Sequence, residues 1–136
     1  MQDDKLIEVE IVTPQNTMFS GKAESVSVPG SQSPFQVLHN HAAIVSALDP
    51  GAVKIVDAKG ETKYFAISGG LAEVRSNKVS ILSQLAEAST AIDSKAAEAK
   101  IEELKPTVFT AKSDEERDKI QKEINYLQAK INLAGK

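Results

Sequence analysis

The sequence predicts a mainly β domain followed by a smaller α domain: an antiparallel β-sandwich and then a two-helix hairpin. Two differences in composition lead to this prediction. Residues 1–85 contain six of the seven glycines and four of the five prolines, as expected for a sheet with many turns. Residues 86–136 contain 19 charged residues and nine alanines, which favour exposed helices. We therefore expect one domain at residues 1–86 and a second at residues 87–136.

Size, charge and hydropathy narrow the possible functions. A chain of 136 residues fits one domain with an appendage better than two full domains. The net charge of -3, without any Lys/Arg cluster, argues against nucleic-acid binding. Without cysteine, disulfides and thiolate chemistry are excluded. The N-terminus lacks signal-peptide features, and the apolar runs fall short of the roughly 18 residues of a membrane span. We expect a cytoplasmic protein that meets a membrane only through a partner.

Short apolar runs with a period of two predict about nine or ten strands in residues 1–85. The first run stops at Pro14, because proline has no amide hydrogen to donate to a neighbouring strand. Val26 and Val28 share one face of a later strand, as do Val79 and Ile81. The predicted strands are residues 6–13, 18–19, 25–28, 35–38, 43–48, 52–56, 62–68, 71–75 and 78–83. The predicted turns or breaks are Pro29-Gly30, Asp49-Pro50-Gly51, Ala58 to Glu61, Gly69-Gly70 and Ser76-Asn77. This pattern is typical of an antiparallel sandwich or a flattened barrel.

Beyond Leu85 the apolar period changes to about 3.6, which predicts two helices. Asp93 is the expected N-cap of the first helix, and Pro106 limits its far end. Its predicted apolar stripe is Ala97, Ile101 and Leu104. Ser113 and Glu116 form a predicted capping box at the start of the second helix, with Glu116 reaching back to the cap amide. The second helix has a narrow apolar seam made of Ile120, Ile124, Leu127 and Ile131. A hairpin this thin is marginally stable unless it packs on something else.

No set of residues predicts catalysis or a cofactor. His39 and His41 could share a metal ion with Asp49, but a metal site usually needs three well-placed ligands and the chain has only two histidines. Ser68-Gly69-Gly70 is followed by a strand, whereas a phosphate-binding loop leads into a helix. These glycines instead predict a bulge or a tight crossing in the sheet. No Gly-x-Ser-x-Gly elbow is present. We expect a protein that is not an enzyme and holds neither metal nor cofactor.

Two segments have both a structural and a functional interpretation. Residues 29–34 form a stiff polar loop with two prolines, which is either a connecting turn or a surface presented to a partner. The seam of the second helix either contacts only the first helix or also binds a partner.

Several motifs together resemble the ATP synthase epsilon family. They are Val28-Pro29-Gly30, Phe35-Gln36-Val37-Leu38, His41-Ala42, Leu48-Asp49-Pro50-Gly51, Ile67-Ser68-Gly69-Gly70 with Glu73-Val74, Asn77-Lys78-Val79 and Ala86-Glu87. Over residues 5–90 this combination is specific. The resemblance implies a ten-stranded sandwich with a helical hairpin, and a non-catalytic rotor subunit of a proton- or sodium-translocating ATP synthase. The protein would be peripheral, on the cytoplasmic side of the inner (plasma) membrane.

The same resemblance implies partners. The sandwich would bind the gamma subunit and rest on the membrane c-ring. The c-ring would face the loop Ser31, Gln32, Ser33 and Pro34. The gamma subunit would face His41 and the following residues Ala42, Ala43 and Ile44, as far as Val45. The hairpin would fold onto the sandwich or extend along gamma to the alpha and beta subunits and block ATP hydrolysis. Its regulatory helix would be the one that carries the seam Ile120, Ile124, Leu127 and Ile131.

Some relatives bind ATP through an Ile/Leu-Asp-x-x-Arg-Ala motif. This chain keeps Ile92, Asp93 and Ala97 of that motif but has Ala96 in the arginine position. Because the arginine of the motif is replaced by Ala96, we expect this chain to bind ATP weakly or not at all.

Two other functions are compatible with the residues: a free-standing β-sandwich module that recruits a helical partner, and a small hydrolase that uses His41. Co-purification with gamma, alpha and beta subunits would separate the subunit from the module. Hydrolysis by the isolated chain, lost on changing His41, would favour the hydrolase. The sequence is compatible with either proton or sodium as the coupling ion. It is also compatible with strong or weak inhibition of ATP hydrolysis, and with a folded or an extended hairpin.

Overall fold

The structure is a computed structural model that describes residues 5–136. The N-terminal residues 1–4, where a signal peptide is not expected, lie outside this range. The strands are β1 (Ile7–Val12), β2 (Thr17–Val28), β3 (Phe35–Val37), β4 (Ile44–Asp57), β5 (Thr62–Arg75), β6 (Lys78–Leu82) and β7 (Ala86–Ala88). A 3-10 turn at Ser89–Ala91 leads to the helices α1 (Ser94–Leu104), α2 (Thr107–Thr110) and α3 (Asp114–Leu133). The predicted fold class, a β-sandwich or barrel followed by helices, is confirmed.

The sheet closes on itself. Its strands are hydrogen-bonded in the order β1-β6-β5-β4-β2-β3, β1 also pairs with β2, and β7 pairs with β5. The result is a flattened barrel in which long strands pass from one layer to the other. The pair β1 and β6 is parallel, from Glu8↔Lys78 to Val12↔Leu82. The prediction of a wholly antiparallel sheet is therefore wrong for this pair.

The predicted count of ten strands is also wrong, because the described residues form seven. Asp49-Pro50-Gly51 does not end a strand but lies inside β4, which pairs with β5 in one register from Ile44↔Val74 to Val56↔Thr62. Similarly, Gly69 and Gly70 lie inside β5, with φ angles of 103° and 140°. A Cβ atom at Gly70 would collide with the carbonyl oxygen of Leu82, so the predicted tight crossing is confirmed. These residues lie inside the long strands instead of ending them.

The core lies between the two layers of the barrel. The strands that were predicted by alternation point their apolar residues inward, and Val26, Val79 and Ile81 are fully buried. Sixteen buried residues form one cluster. They are Ile7, Val9, Ile11, Ala23, Val26, Val28, Val37, Leu48, Val53, Ile55, Phe65, Ile67, Ala72, Val74, Val79 and Ile81. This continuous cluster is the main hydrophobic core of the molecule, and it lies inside the sandwich.

Local signals mark the starts of the two long helices. The side chain of Asp93 accepts a hydrogen bond from the Ala96 amide (3.1 Å), as expected for an N-cap. The hydroxyl of Ser113 accepts from the Glu116 amide at 3.0 Å. However, Glu116 accepts from the Lys112 amide at 2.8 Å and not from the cap amide, so the predicted capping box is only half formed. The short helix α2, after Pro106, was not predicted.

The seam of α3 packs on α1. Leu127 is buried against Ala97 and Ile101, with three partly buried side chains around them: Leu104, Ile124 and Ile131. Ile120, the fourth predicted seam residue, is partly buried but lies outside this cluster. Within residues 5–136, no helix has the length and hydrophobicity required to cross a bilayer.

Candidate functional site

The loop Ser31–Pro34 is exposed along its whole length but is fixed at its first residue. The Ser31 amide donates to the Ala47 carbonyl (2.9 Å), and the Ser31 hydroxyl donates to the Asp49 carboxylate (2.9 Å). Gly30 pairs with Leu48 immediately before it. The loop is therefore an exposed polar segment attached to β4.

His41 joins this loop to the second predicted contact segment. Its ring packs on Phe35, directly after the loop, with ring centroids 6.2 Å apart. Its amide donates to the Leu38 carbonyl at 3.1 Å, and its Nδ1 lies 2.6 Å from the Ala42 carbonyl oxygen. The imidazole is partly buried, while Ala42, Ala43 and Ile44 are exposed. The structure thus brings the two predicted segments together at one end of the sandwich.

Large apolar side chains are exposed beside His41. Leu38 is 52% exposed, Ile44 39% and Val45 63%. A group of exposed apolar side chains next to a polar loop is typical of a protein contact surface. Leu38 was not among the predicted contact residues. Its place in an apolar run suggested a buried strand residue, but β3 ends at Val37 and leaves Leu38 outside.

A pair of asparagines holds this end of the sandwich together. The Asn40 amide donates to the Asn77 side-chain oxygen at 2.6 Å, which ties the His41 segment to the turn between β5 and β6. Asn40, Ser76 and Asn77 all have left-handed φ angles, of 66°, 53° and 63°. Asparagine tolerates this conformation better than most residues. Sequence reasoning predicted the Ser76-Asn77 turn but missed the tie, because its partners lie 37 residues apart.

The considered metal ligands do not converge. Asp49 accepts the hydrogen bond from Ser31. Among residues 5–136 there is no group of three or more His, Cys, Asp or Glu side chains that could hold a metal ion.

The three retained residues of the ATP motif all have structural roles. Asp93 caps α1. Ala97 is buried in the contact between α1 and α3, and Ile92 packs beside Tyr126 and Leu133. These roles account for the residues without a nucleotide.

The helix α3 has a second apolar face that sequence reasoning missed. Tyr126 and Leu133 are buried against Ala66 of β5, and Ala129 packs beside them. Tyr64 and Ile92 border the same cluster. The spacing of residues 126, 129 and 133 is a helical stripe next to the predicted seam, and it could have been found as a second periodic set. Because of this face, the hairpin lies folded on the sandwich.

Polar contacts accompany the docked helix. Lys130 Nζ lies 2.9 Å from Glu87 Oε1 in β7. The Ser89 hydroxyl donates to the Lys136 carbonyl oxygen, and the Gly135 amide donates to the Ser89 carbonyl, both at 3.1 Å. Burial, together with the nearby Glu87 carboxylate, raises the pKa of Tyr126 to about 12. The predicted domain boundary between residues 86 and 87 falls inside β7. Glu87, on the predicted helical side of that boundary, is therefore a residue of the last strand.

Comparison with known families gives a match over most of the sandwich. Residues 6–89 match the family described as ATP synthase, Delta/Epsilon chain, beta-sandwich domain. The ATP synthase epsilon chain of Maricaulis maris is 38% identical over 115 residues, which cover 85% of each chain.

Two solved structures have a similar fold at 18% identity. A chain in a mitochondrial ATP synthase structure from Euglena gracilis, containing OSCP, F1 and the c-ring, aligns with a TM-score of 0.78 over 91% of this chain and 78% of that one. A chain in the central stalk and c-ring structure of the Tetrahymena thermophila mitochondrial ATP synthase aligns with a TM-score of 0.64 over 92% and 93%.

Proposed function

This chain belongs to the ATP synthase delta/epsilon family, and we propose that it is a rotor subunit that couples the c-ring to gamma and regulates ATP hydrolysis. Membership makes it a non-catalytic subunit of the synthase. In this role the sandwich binds gamma on one side and rests on the c-ring, so that torque passes between them. The subunit is then peripheral, on the cytoplasmic side of the inner (plasma) membrane, and meets the membrane only through the c-ring.

The observation that carries the coupling role is the continuous surface formed by Ser31–Pro34 and residues 38–45. Its polar loop suits the polar loops of a membrane ring. Its apolar part, with Leu38 and Val45, suits a buried contact with gamma. The ring of His41 packs on Phe35, and this contact joins the polar loop to the apolar segment.

Rigidity supports the same role. The loop is fixed by Ser31 and Asp49, and the His41 segment is fixed by Asn40 and Asn77. Segments that are already ordered lose little conformational entropy on binding, so more of the contact energy is available to hold the partner. A subunit that transmits torque requires such pre-ordered contacts.

The regulatory role rests on the way the hairpin is held. Three buried residues attach α3 to α1 and three more form its cluster with the sheet. Both areas are small, and the sheet that α3 leaves behind has its own core. Two arrangements of the hairpin, folded on the sandwich or extended toward the alpha and beta subunits, therefore require little rearrangement elsewhere.

Cross-linking tests the coupling role in the assembled synthase. The chain has no cysteine, so a single introduced cysteine reports one position. We expect Ser33→Cys to cross-link to subunit c and Val45→Cys to gamma. Lys59→Cys, in the turn at the other end of β4 and β5, is the matched control and should cross-link to neither. Equal cross-linking from all three positions, or none from the first two, would contradict the proposed surface.

Ile124→Asp tests the regulatory role. Ile124 packs in the contact between α1 and α3, where an unpaired carboxylate is unfavourable. We expect the variant to assemble normally and to change the rate of ATP hydrolysis by the whole synthase. Asp118→Asn, on an exposed part of the same helix, is the control. Unchanged hydrolysis would mean that the hairpin is not regulatory here.

A further inference from the structure

We propose that Glu87 and Lys130 form an ionic latch that holds α3 on the sandwich and must open before the hairpin can leave it. The latch deepens the regulatory part of the proposed function and rests on it for its biological meaning. Its existence in the isolated chain can be tested separately.

The pair differs from the other ion pairs in residues 5–136. Four of those pairs lie within single helices, three or four residues apart, and one lies within the β4 and β5 hairpin. Only Glu87 and Lys130 link the hairpin to the sheet, with 2.9 Å between Nζ and Oε1. Their side chains are 32% and 20% exposed, so water screens this pair less than the helix pairs.

Because the pair is partly buried, docking of α3 depends on both charges being present. The Lys130 ammonium lies 5.4 Å from the centre of the Tyr126 ring, which is 7% exposed. The other titratable side chains at this contact are Tyr64 in β5 and Lys136, whose ammonium lies 5.8 Å from the Tyr64 ring. In the docked state, removal of Glu87 would leave Lys130 partly desolvated without a carboxylate. The released state has no such penalty, so loss of either charge favours release.

The latch joins the two ends of the segment that contains the helices. Glu87 and Ser89 precede α1, whereas Lys130 and Lys136 are near or beyond the end of α3. Ser89 binds the backbone of Gly135 and Lys136 beside the ion pair. Residues just before α1 therefore contact residues at the C-terminal end of α3 and just beyond it. The ionic contact adds to a small apolar cluster of three buried residues, with Tyr64, Ile92 and Ala129 packed beside them.

The chain contains its own reporters. It has two tyrosines and no tryptophan, and Tyr64 and Tyr126 both border the docking contact. Near-ultraviolet circular dichroism and acrylamide quenching of tyrosine fluorescence therefore monitor docking in the unlabelled full chain. Amide hydrogen exchange in α3 measures the released fraction.

The experiment compares Glu87→Gln, Lys130→Gln and Lys122→Gln in the isolated full chain. Lys122 is on the same helix and, among residues 5–136, forms an ion pair only with the exposed Asp118, so its variant is the matched control. We expect the first two variants to increase hydrogen exchange in α3 by about three- to ten-fold and to raise tyrosine quenching, because a partly buried ion pair stabilises more than an exposed one. Lys122→Gln should match the wild type. The exchanged pair Glu87→Lys with Lys130→Glu should restore docking.

Two results would overturn the latch: Glu87→Gln and Lys130→Gln behaving like Lys122→Gln, or failure of the exchanged pair to restore docking. Failure of the proposed function would look different. If the single variants release the hairpin but hydrolysis by the assembled synthase is unchanged, the latch is supported and the regulatory role is contradicted.

Discussion

The sandwich and the hairpin are held together in different ways. The sandwich has one cluster of sixteen buried residues inside strands that close on themselves. The hairpin has two clusters of three, one between its helices and one against the sheet. A side chain lost from the large cluster affects the whole domain, whereas one lost from a small cluster affects a single contact. The comparison shows how one short chain can combine a rigid coupling body with a detachable arm.

Matched substitutions should show the largest difference between the two regions. Ile55 is fully buried in the sandwich and Ile101 is buried between α1 and α3. We expect Ile55→Ala to lower the free energy of unfolding of the sandwich by about 2–5 kcal/mol. Ile101→Ala should change it by less than about 1 kcal/mol, because the hairpin contributes little to that core. Urea denaturation monitored by a strand signal measures both, and equal effects would show that the two regions unfold as one unit.

Removal of the hairpin is the second test. A chain ending at Ser89 keeps β7 and the whole large cluster, so we expect a cooperative thermal transition close to that of the full chain. It should still bind gamma, because the proposed gamma-facing residues are in the sandwich. A broad transition, or loss of gamma binding, would contradict the division into two parts.

Nucleotide binding is expected to be weak at the hairpin. A guanidinium can donate two hydrogen bonds to phosphate, and Ala96 occupies the position where that group is expected. Each missing charge-assisted contact weakens binding roughly ten- to hundred-fold. Calorimetric titration of the isolated chain with Mg-ATP should therefore give no binding in the low micromolar range, and Ala96→Arg should strengthen it. Tight binding by the unchanged chain would show that other residues supply the contacts.

The smallest expected effect is on the alkaline stability of the docked hairpin. A raised pKa means that the folded state holds the Tyr126 proton more tightly than the unfolded state, in which the pKa is near 10.0. The contribution of this proton is therefore complete below about pH 10 and is lost as the pH rises toward 12. Hydrogen exchange in α3 between pH 9 and 11 should accelerate less in Tyr126→Phe than in the control Tyr64→Phe. Equal acceleration would contradict the role assigned to the phenol.

Much of the fold could be predicted because its signals are local. The alternation around Val26 and Val79, the cap at Asp93 and the seam through Leu127 all depend on residues within a few positions of one another. The candidate site was harder to predict. The resemblance pointed to Ser31–Pro34 and His41, but composition did not show that Phe35 joins them into one surface.

The sequence by itself determined that strand residues such as Val26 and Val79 face a core, where the long helices begin and that a turn-rich domain precedes a helical one. Only the tertiary structure decided that Asp49-Pro50-Gly51 and Gly69-Gly70 lie within long strands, that β1 runs parallel to β6 and that α3 docks through Tyr126 and Leu133. It also decided the ties between Asn40 and Asn77 and between Glu87 and Lys130. The physical reason is the same in each case: a local pattern sets backbone conformation and the direction of a side chain, whereas its partner is set by packing between segments that are distant in the chain.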